Sequence, residues 1–230
     1  MNFRSRLTCG AGALAVIALI AMCAAGPVNA QRSKKATSHA AASFSYYMLV
    51  MSYGPNYCQE NPSGAKQDPA ECGAGTSVGF VVHGLWPEND TSEGPQKCGS
   101  STVPQAVVNA TLPYMTSASL IQHEWSTHGS CSGLNVTDFF ATLRKARDSV
   151  KIPAQLQKPT QKLTLTPLAI ETQMAGANPS FGQTAFRVSC YRDNNLEEVR
   201  VCMSKGLMPQ ACTSSAGMCP AKSVTLLPVR

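Results

Sequence analysis

The whole chain has four histidines, and three of them fall in two short segments, FVVHGLWPE at residues 80–88 and QHEWSTHGSCSG at residues 122–133. A zinc protease site is the first chemistry to test, because Glu124 follows directly on His123. The H-E-x-x-H arrangement needs its imidazoles four residues apart, so that both face one side of a helix. Here they are five apart. At about 100° per residue, His123 and His128 stand about 140° apart around a helix axis, and the i+4 position holds Thr127, a poor ligand. Zinc loses on geometry. Glu124 and His128, by contrast, are four apart and share a helix face, where a carboxylate can orient an imidazole and keep its pKa in the working range. With His83 added, the two segments offer one imidazole to accept a proton and another to donate one. That pair suits an in-line displacement at phosphorus, in which a neighbouring hydroxyl attacks and an alkoxide leaves. RNA carries such a hydroxyl at its 2′ position. The bland alternative is a satisfied core histidine at His83 and a surface ion pair between Glu124 and His128, the commoner fate of an isolated histidine.

The elements that must position these residues read as a mixed set. FSYYMLVMSY at residues 44–53 is short and rich in aromatic and aliphatic residues, and reads as a buried strand. Gly, Pro, Asn and Ser crowd residues 54–76 around Cys58 and Cys72, which predicts a long loop held by a local disulfide. A second strand at residues 77–82 delivers His83 at its end, with Gly84 and Pro87 expected to turn the chain immediately afterwards. After a polar loop at residues 88–101, Pro104 starts a short helix to Ala110. Ser117 caps the next, which runs to Gly129 and carries His123, Glu124 and His128. Thr137 is expected to cap DFFATLRKARDSV, whose Phe139, Phe140, Leu143, Ala146 and Val150 line one face, with Pro153 ending it. Thr166 and Pro167 start a further helix closed by Gly176, and strands follow at residues 184–190 and 198–203. Strands and helices alternate irregularly around one core, so the fold class is α+β in a single domain.

Composition sets the outer limits. A chain of 230 residues with 17 Gly, 15 Pro, 10 Cys and only 14% charged residues makes one compact domain with a real core, which excludes a disordered polyelectrolyte. The formal charge of +6 is mild and scattered, so an anionic partner must be gripped locally. Arg4 and Arg6 precede an uncharged stretch whose centre, ALAVIALIAMCAA, is strongly apolar, and Val28-Asn29-Ala30 offers a signal-peptidase site. Residues 1–30 are therefore expected to be a removed signal, 31–42 a loose tail, and 43–230 the folded domain of a secreted or periplasmic protein without stable membrane association. Met22 before Cys23 makes a poor lipidation site. Eight cysteines remain, Cys58, Cys72, Cys98, Cys131, Cys190, Cys202, Cys212 and Cys219. An even set in an exported chain implies four disulfides, the irregular spacing and lack of a C-x₂-C knuckle argue against a metal thiolate, and counting leaves the pairing open.

HGLWP at residues 83–87 and HEWSTHGSC at residues 123–131 resemble the two active-site signatures of the ribonuclease T2 family. MLVMSYGPNYC at residues 48–58 resembles that family's opening strand and loop, and VRVCMSKG with the later ACTSSAGMCP resembles its cysteine-rich end, so the likeness covers most of residues 44–220. The resemblance implies a disulfide-bonded domain with a central antiparallel sheet flanked by helices. It implies a metal-independent endoribonuclease, without cofactor, that cleaves single-stranded RNA by 2′-OH transesterification. The products are 2′,3′-cyclic phosphate and then 3′-phosphate ends, and the base preference is broad; no DNA partner and a monomeric state are expected besides. His83 and His128 carry over as the acid–base pair, with His128 expected as the base and His83 as the acid. Glu124 supports catalysis, His123 contacts the phosphate, and Trp86 and Glu88 match positions that contact a base.

In relatives the cysteines pair so as to imply Cys98–Cys131 and Cys190–Cys219 nested around Cys202–Cys212, with Cys58–Cys72 as the local pair. Trp125 is expected to pack the helix against the core rather than touch RNA, and Tyr53 and Tyr57 fit a cleft wall or, equally well, a strand end and a disulfide loop. One departure stands out: the family usually has Lys just before the second signature's last histidine, and this chain has Thr127. Loss of a positioned cation costs about 3 kcal/mol, or about a hundredfold in rate, unless Lys97, Lys205 or helix amides substitute. Two other readings remain, a catalytically weakened relative that binds RNA or a partner, and an RNA-degrading toxin or effector. Asn89, Asn109 and Asn135 begin N-x-[ST] sequons, while the short, Arg-led, Ala-rich signal points to a bacterium.

Overall fold

The run YYMLVMSY has no charge and no breaker, and it forms β1 (Tyr46–Tyr53), a strand buried on both faces. Tyr47, Leu49, Met51 and Tyr53 enter the main core, while Tyr46, Met48 and Val50 join a smaller apolar cluster with Cys202 and Cys212 on the other face. The computed structural model describes residues 42–213 and 217–229, so the expected signal segment and residues 31–41 of the expected tail lie outside the described residues. After β1 come α1 (Gly54–Glu60), α2 (Gly64–Gln67), α3 (Pro69–Cys72), β2 (Phe80–Glu88), α4 (Gln105–Thr111), α5 (Ala118–Thr127) and α6 (Val136–Asp148). The chain continues through α7 (Ala154–Gln157), β3 (Leu163–Leu165), α8 (Pro167–Ala177), β4 (Phe186–Cys190), β5 (Leu196–Met203) and β6 (Val224–Leu226).

Four strands make one antiparallel sheet in the order β2-β1-β5-β4, and β3 pairs with β6 in a separate ribbon. The class is α+β, as expected. On the sheet's main-core face α6 presents Phe139, Phe140, Leu143 and Ala146, all fully buried, the stripe that its 3.6-residue period dictates. Disulfides join Cys58–Cys72, Cys98–Cys131, Cys190–Cys219 and Cys202–Cys212, the pairs that the resemblance implies. Among the described residues no helix is long and apolar enough to cross a membrane.

Four local expectations need correction. The second strand does not end before His83. It runs from Phe80 to Glu88 through both Gly84 and Pro87. A proline is tolerated there because β2 is an edge strand, where a missing N–H breaks no ladder. The Cys58–Cys72 loop folds into three short helices instead of staying irregular. The cap of α6 is Asn135, whose Oδ1 accepts from the Asp138 N–H at 3.0 Å, so Thr137 lies inside the helix. Lastly, α5 stops at Thr127, and a 3₁₀ turn at Gly129–Cys131 follows. Gly129 permits that tight exit, since a Cβ there would stand 2.6 Å from the Phe139 ring.

Candidate active site

His83 and Trp86 are three residues apart, and in a regular strand they would point to opposite faces. A β-bulge prevents this. Met51 pairs with Val82 but Val50 pairs with Gly84, so His83 is the extra residue, and side-chain parity shifts by one at that point. Val82 and Leu85 consequently stay in the main core, while Trp86 packs on the smaller cluster of the opposite face. The His83 and Trp86 rings then meet edge to face at 5.3 Å. The bulge thus turns the HGLWPE segment into a platform that carries His83, Trp86 and Glu88 together.

The second half of the site comes from α5. Ser117 caps this helix by accepting from the Leu120 N–H at 3.3 Å, and Ile121 and Trp125 anchor it in the core with no exposure. The Trp125 indole N–H donates to Ser101 Oγ at 2.8 Å, in line with a packing role. With that face committed to the core, Glu124 and His128 meet β2. The Trp86 indole N–H donates to Glu124 Oε2 at 2.8 Å, and the Trp86 ring stacks on His128 at 4.8 Å and 19°. Glu124 Oε1, buried and without a hydrogen bond, lies 3.5 Å from His83 Nε2. Gly84 allows this approach, since a Cβ there would stand 2.0 Å from Glu124 Oε2.

A third element completes the site, and the sequence reading missed it. Glu198 on β5 accepts from His83 Nδ1 at 2.7 Å, and its other oxygen receives Arg200 Nε at 2.9 Å and Nη2 at 2.8 Å. The Arg200 guanidinium also lies 5.6 Å from the centre of the Trp86 ring. The signal was present in part, because Glu198 and Arg200 are two apart and must share a strand face. Nothing local says that this face looks at His83, which lies two strands away with β1 between.

These neighbours drive the two imidazoles apart. Burial lowers the His128 pKa to about 4, and the nearby His83 and His123 push the same way. Burial would lower His83 too, but the Glu198 hydrogen bond and the charges of Glu124 and Glu198 outweigh it and raise its pKa, against Arg200. Burial lifts the Glu124 carboxyl to about 7 in spite of His83 and the Trp86 N–H. Burial also works to raise Glu198, yet its bond to His83 and the charges of His83 and Arg200 hold it below the usual carboxylate range.

The remaining expected residues take their places around this centre. His123 is exposed and lines, with His83, Tyr57, Asp68, Glu71 and Ser119, a cavity of about 590 Å³. Tyr53 is instead wholly buried, with its hydroxyl donating to the Leu227 carbonyl. Glu88 accepts from the Gly94 N–H at 3.0 Å, and burial raises its pKa. Thr127 is nearly buried, and its carbonyl accepts from the Lys97 N–H at 2.7 Å. Lys205 places its ammonium 4.3 Å from the Phe44 ring centre. Among the described residues no cluster of three or more His, Cys, Asp or Glu could hold a metal ion.

The chain is similar to ribonucleases from two bacteria. It is 28% identical over 171 residues to a ribonuclease of Aeromonas hydrophila, covering 72% of this chain and 74% of the relative. To a probable ribonuclease of Haemophilus influenzae it is 31% identical over 128 residues, 51% of this chain and 47% of that one. Among solved structures, an RNase-related protein from Calystegia sepium superposes with a TM-score of 0.64 at 22% identity, over 82% of this chain and all of the other. The ribonuclease T2 family model matches residues 44–212, from the start of the sheet through both histidine segments to the cysteine that pairs with β5. That span contains every group of the two-histidine centre, and on it the chain belongs to the ribonuclease T2 family and is an endoribonuclease.

Proposed function

We propose that this protein cleaves single-stranded RNA without a metal or cofactor, by attack of a 2′-hydroxyl on the adjacent phosphorus. The observation that carries this reading is the placement of His83 and His128 in ring contact with the same Trp86, with neighbours that displace their pKa values in opposite directions. At weakly acidic pH His128 is neutral and can accept a proton, while His83 is charged and can give one. His128 takes the proton of the 2′-OH, the 2′-oxygen bonds to phosphorus, and the bond from phosphorus to the 5′-oxygen breaks. His83 Nε2 protonates that oxygen as it leaves. The products are a 2′,3′-cyclic phosphate and a 5′-hydroxyl, and water then opens the ring to a 3′-phosphate with the two roles reversed. DNA has no such nucleophile and is not a substrate.

Glu124, buried beside His83 and bonded to Trp86, supports the acid and holds the platform. Exposed His123 contacts the phosphate. The cavity between His83 and His123 has the volume of a small-ligand pocket and takes the nucleoside on the leaving side. Trp86 and Glu88 serve the base on the other side, with broad preference. The apolar leader and four disulfides support export, to the periplasm or the medium, where the protein acts as a monomer.

Thr127 favours a second reading, a relative with weakened catalysis that binds RNA or a partner. One assay separates the two, cleavage of the dinucleotide ApU by oxidised protein in EDTA, with His83→Ala and His128→Ala alongside and products identified by mass. Cyclic phosphate from the wild type alone is the expected result. Loss of activity on chelation overturns the metal-free mechanism, and an inactive wild type that Thr127→Lys awakens moves the binding reading to first place.

A further inference from the structure

Above β1, side chains from β2 and β5 meet although their strands are not neighbours. Ser52 lies directly opposite both Val81 and Glu198, and its small side chain leaves room for longer ones to bridge it. Two strand spacings amount to about 9.6 Å, a gap that a glutamate and an imidazole span together. The bulge at His83 aims the imidazole, while Glu198 stays in regular register opposite Ser52, the β5 bulge lying just beyond it at Glu197.

Glu198 is only 4% exposed, and both its oxygens are committed, one to His83 Nδ1 and the other to Arg200. A buried carboxylate held this way cannot turn aside. We propose that Glu198 is a positioning residue for the acid: it fixes the proton of neutral His83 on Nδ1, aims Nε2 at the cleft and holds the ring charged until it acts. A carboxylate on one ring nitrogen sets the tautomer of the other in this manner. Arg200 keeps Glu198 ionised, and through its contact with the Trp86 ring it ties this support to the platform.

Several other groups face His83. They are Glu124, His123 and His128 from α5 and its end, Glu71 from α3, and Glu197 and Arg200 from β5. None of these other carboxylates hydrogen-bonds to the imidazole as Glu198 does, and Glu124 stands off at 3.5 Å.

The test is an NMR titration of the His83 ring in wild type, Glu198→Gln and Glu198→Asp, beside the pH profile of dinucleotide cleavage. Glutamine keeps the volume and an acceptor oxygen but removes the charge. Its His83 midpoint should fall by about one pH unit, a tenfold change in proton affinity, and the alkaline limb of kcat should move down with it. KM should stay within about threefold and the aspartate variant should recover part of the shift, neither of which a purely structural role produces. A midpoint that moves by less than about a third of a pH unit in folded Glu198→Gln overturns the proposal. If that variant does not fold, the wild-type ¹⁵N shifts decide: Nδ1–H is expected, and an Nε2–H tautomer overturns it. Because this rests on the assignment of His83 as the acid, the ring titration matters most, since it needs no turnover. A chain that cleaves no RNA but shows the Glu198-dependent tautomer and midpoint refutes the function and leaves the positioning role standing.

Discussion

Gly84→Ala places one methyl group where the site has no room. The new carbon would stand 2.0 Å from Glu124 Oε2, 2.9 Å from the Glu124 carboxyl carbon and 2.6 Å from Trp86 Nε1. Ordinary contact is about 3.5 Å, so the carboxylate must retreat by about 1.5 Å or the edge strand must open. Either motion breaks the 2.8 Å bond from Trp86 to Glu124 and disturbs the Trp86 ring that stacks on His128. Displacing a catalytic group by about 1 Å costs about a hundredfold in rate, whereas overpacking of this kind costs about 1–3 kcal/mol of stability. The expected outcome is a drop of about a hundredfold or more in kcat/KM for ApU, in a protein that still unfolds cooperatively in urea. Trp86→Phe is the companion variant, keeping a ring over His128 while losing the N–H donor. With the Glu124 pKa raised to about 7 and its carboxyl so largely neutral at weakly acidic pH, the lost hydrogen bond is worth about 0.5–1.5 kcal/mol, and the Trp86→Phe rate should fall between the wild type and Gly84→Ala. Rates within about threefold of wild type for both variants would falsify the claim that Glu124 acts from its position beside β2.

Thr127→Lys should raise the rate, by up to about a hundredfold if the full electrostatic contribution of about 3 kcal/mol is regained, and an unchanged or lower rate in ApU cleavage counts against a missing cation. The pH profile of kcat/KM should rise as His128 loses its proton at about 4 and fall as His83 loses its own above the ordinary histidine value of about 6.5, and an alkaline optimum contradicts this division of roles. His128 also links pH to stability. Its folded pKa is depressed to about 4, so the neutral form favours the native state, and stability present above the unfolded value of about 6.5 drains away as pH falls toward 4. Urea midpoints for His128→Gln should show a flatter decline over that window than the wild type, and parallel curves are the contrary result. Replacing Cys98 and Cys131 together by serine releases a cross-link with a sequence separation of 33, for which chain entropy predicts about 4 kcal/mol. A loss below about 1 kcal/mol means that this loop is held by other contacts.

Helix-borne features were legible in the sequence because a helix is written in local periodicity. Glu124 and His128, four apart, both reach Trp86, although the carboxylate bonds that indole and faces His83 instead of orienting His128 as expected, and the His128 pKa falls to about 4. Ser117 and Thr166 cap the helices they precede, and the Phe139, Phe140, Leu143 and Ala146 stripe is buried as its spacing requires. The Asn135 cap was misplaced by two residues, since Asn and Thr both compete for that role and only the backbone angles decide between them. Strand-borne features were read less well. Gly84 and Pro87 look like a turn until it is known that their strand lies on the sheet's edge.

By itself, the sequence determined which groups are present and what chemistry they can do: two imidazoles and a carboxylate in two segments, on a chain with eight cysteines beyond residue 30. The tertiary structure alone decided how they face one another. A bulge sets the side-chain parity of β2, which puts Trp86 against both Glu124 and His128, and the regular register of β5 on β1 brings Glu198 to His83 from two strands away. Helical facing follows from spacing along one segment, but the facing of a strand residue depends on the register and neighbours it acquires from distant segments. The same buried meeting of strands and helix displaces the pKa values of the two histidines in opposite directions, because desolvation and partner charge exist only once the chain has closed around them.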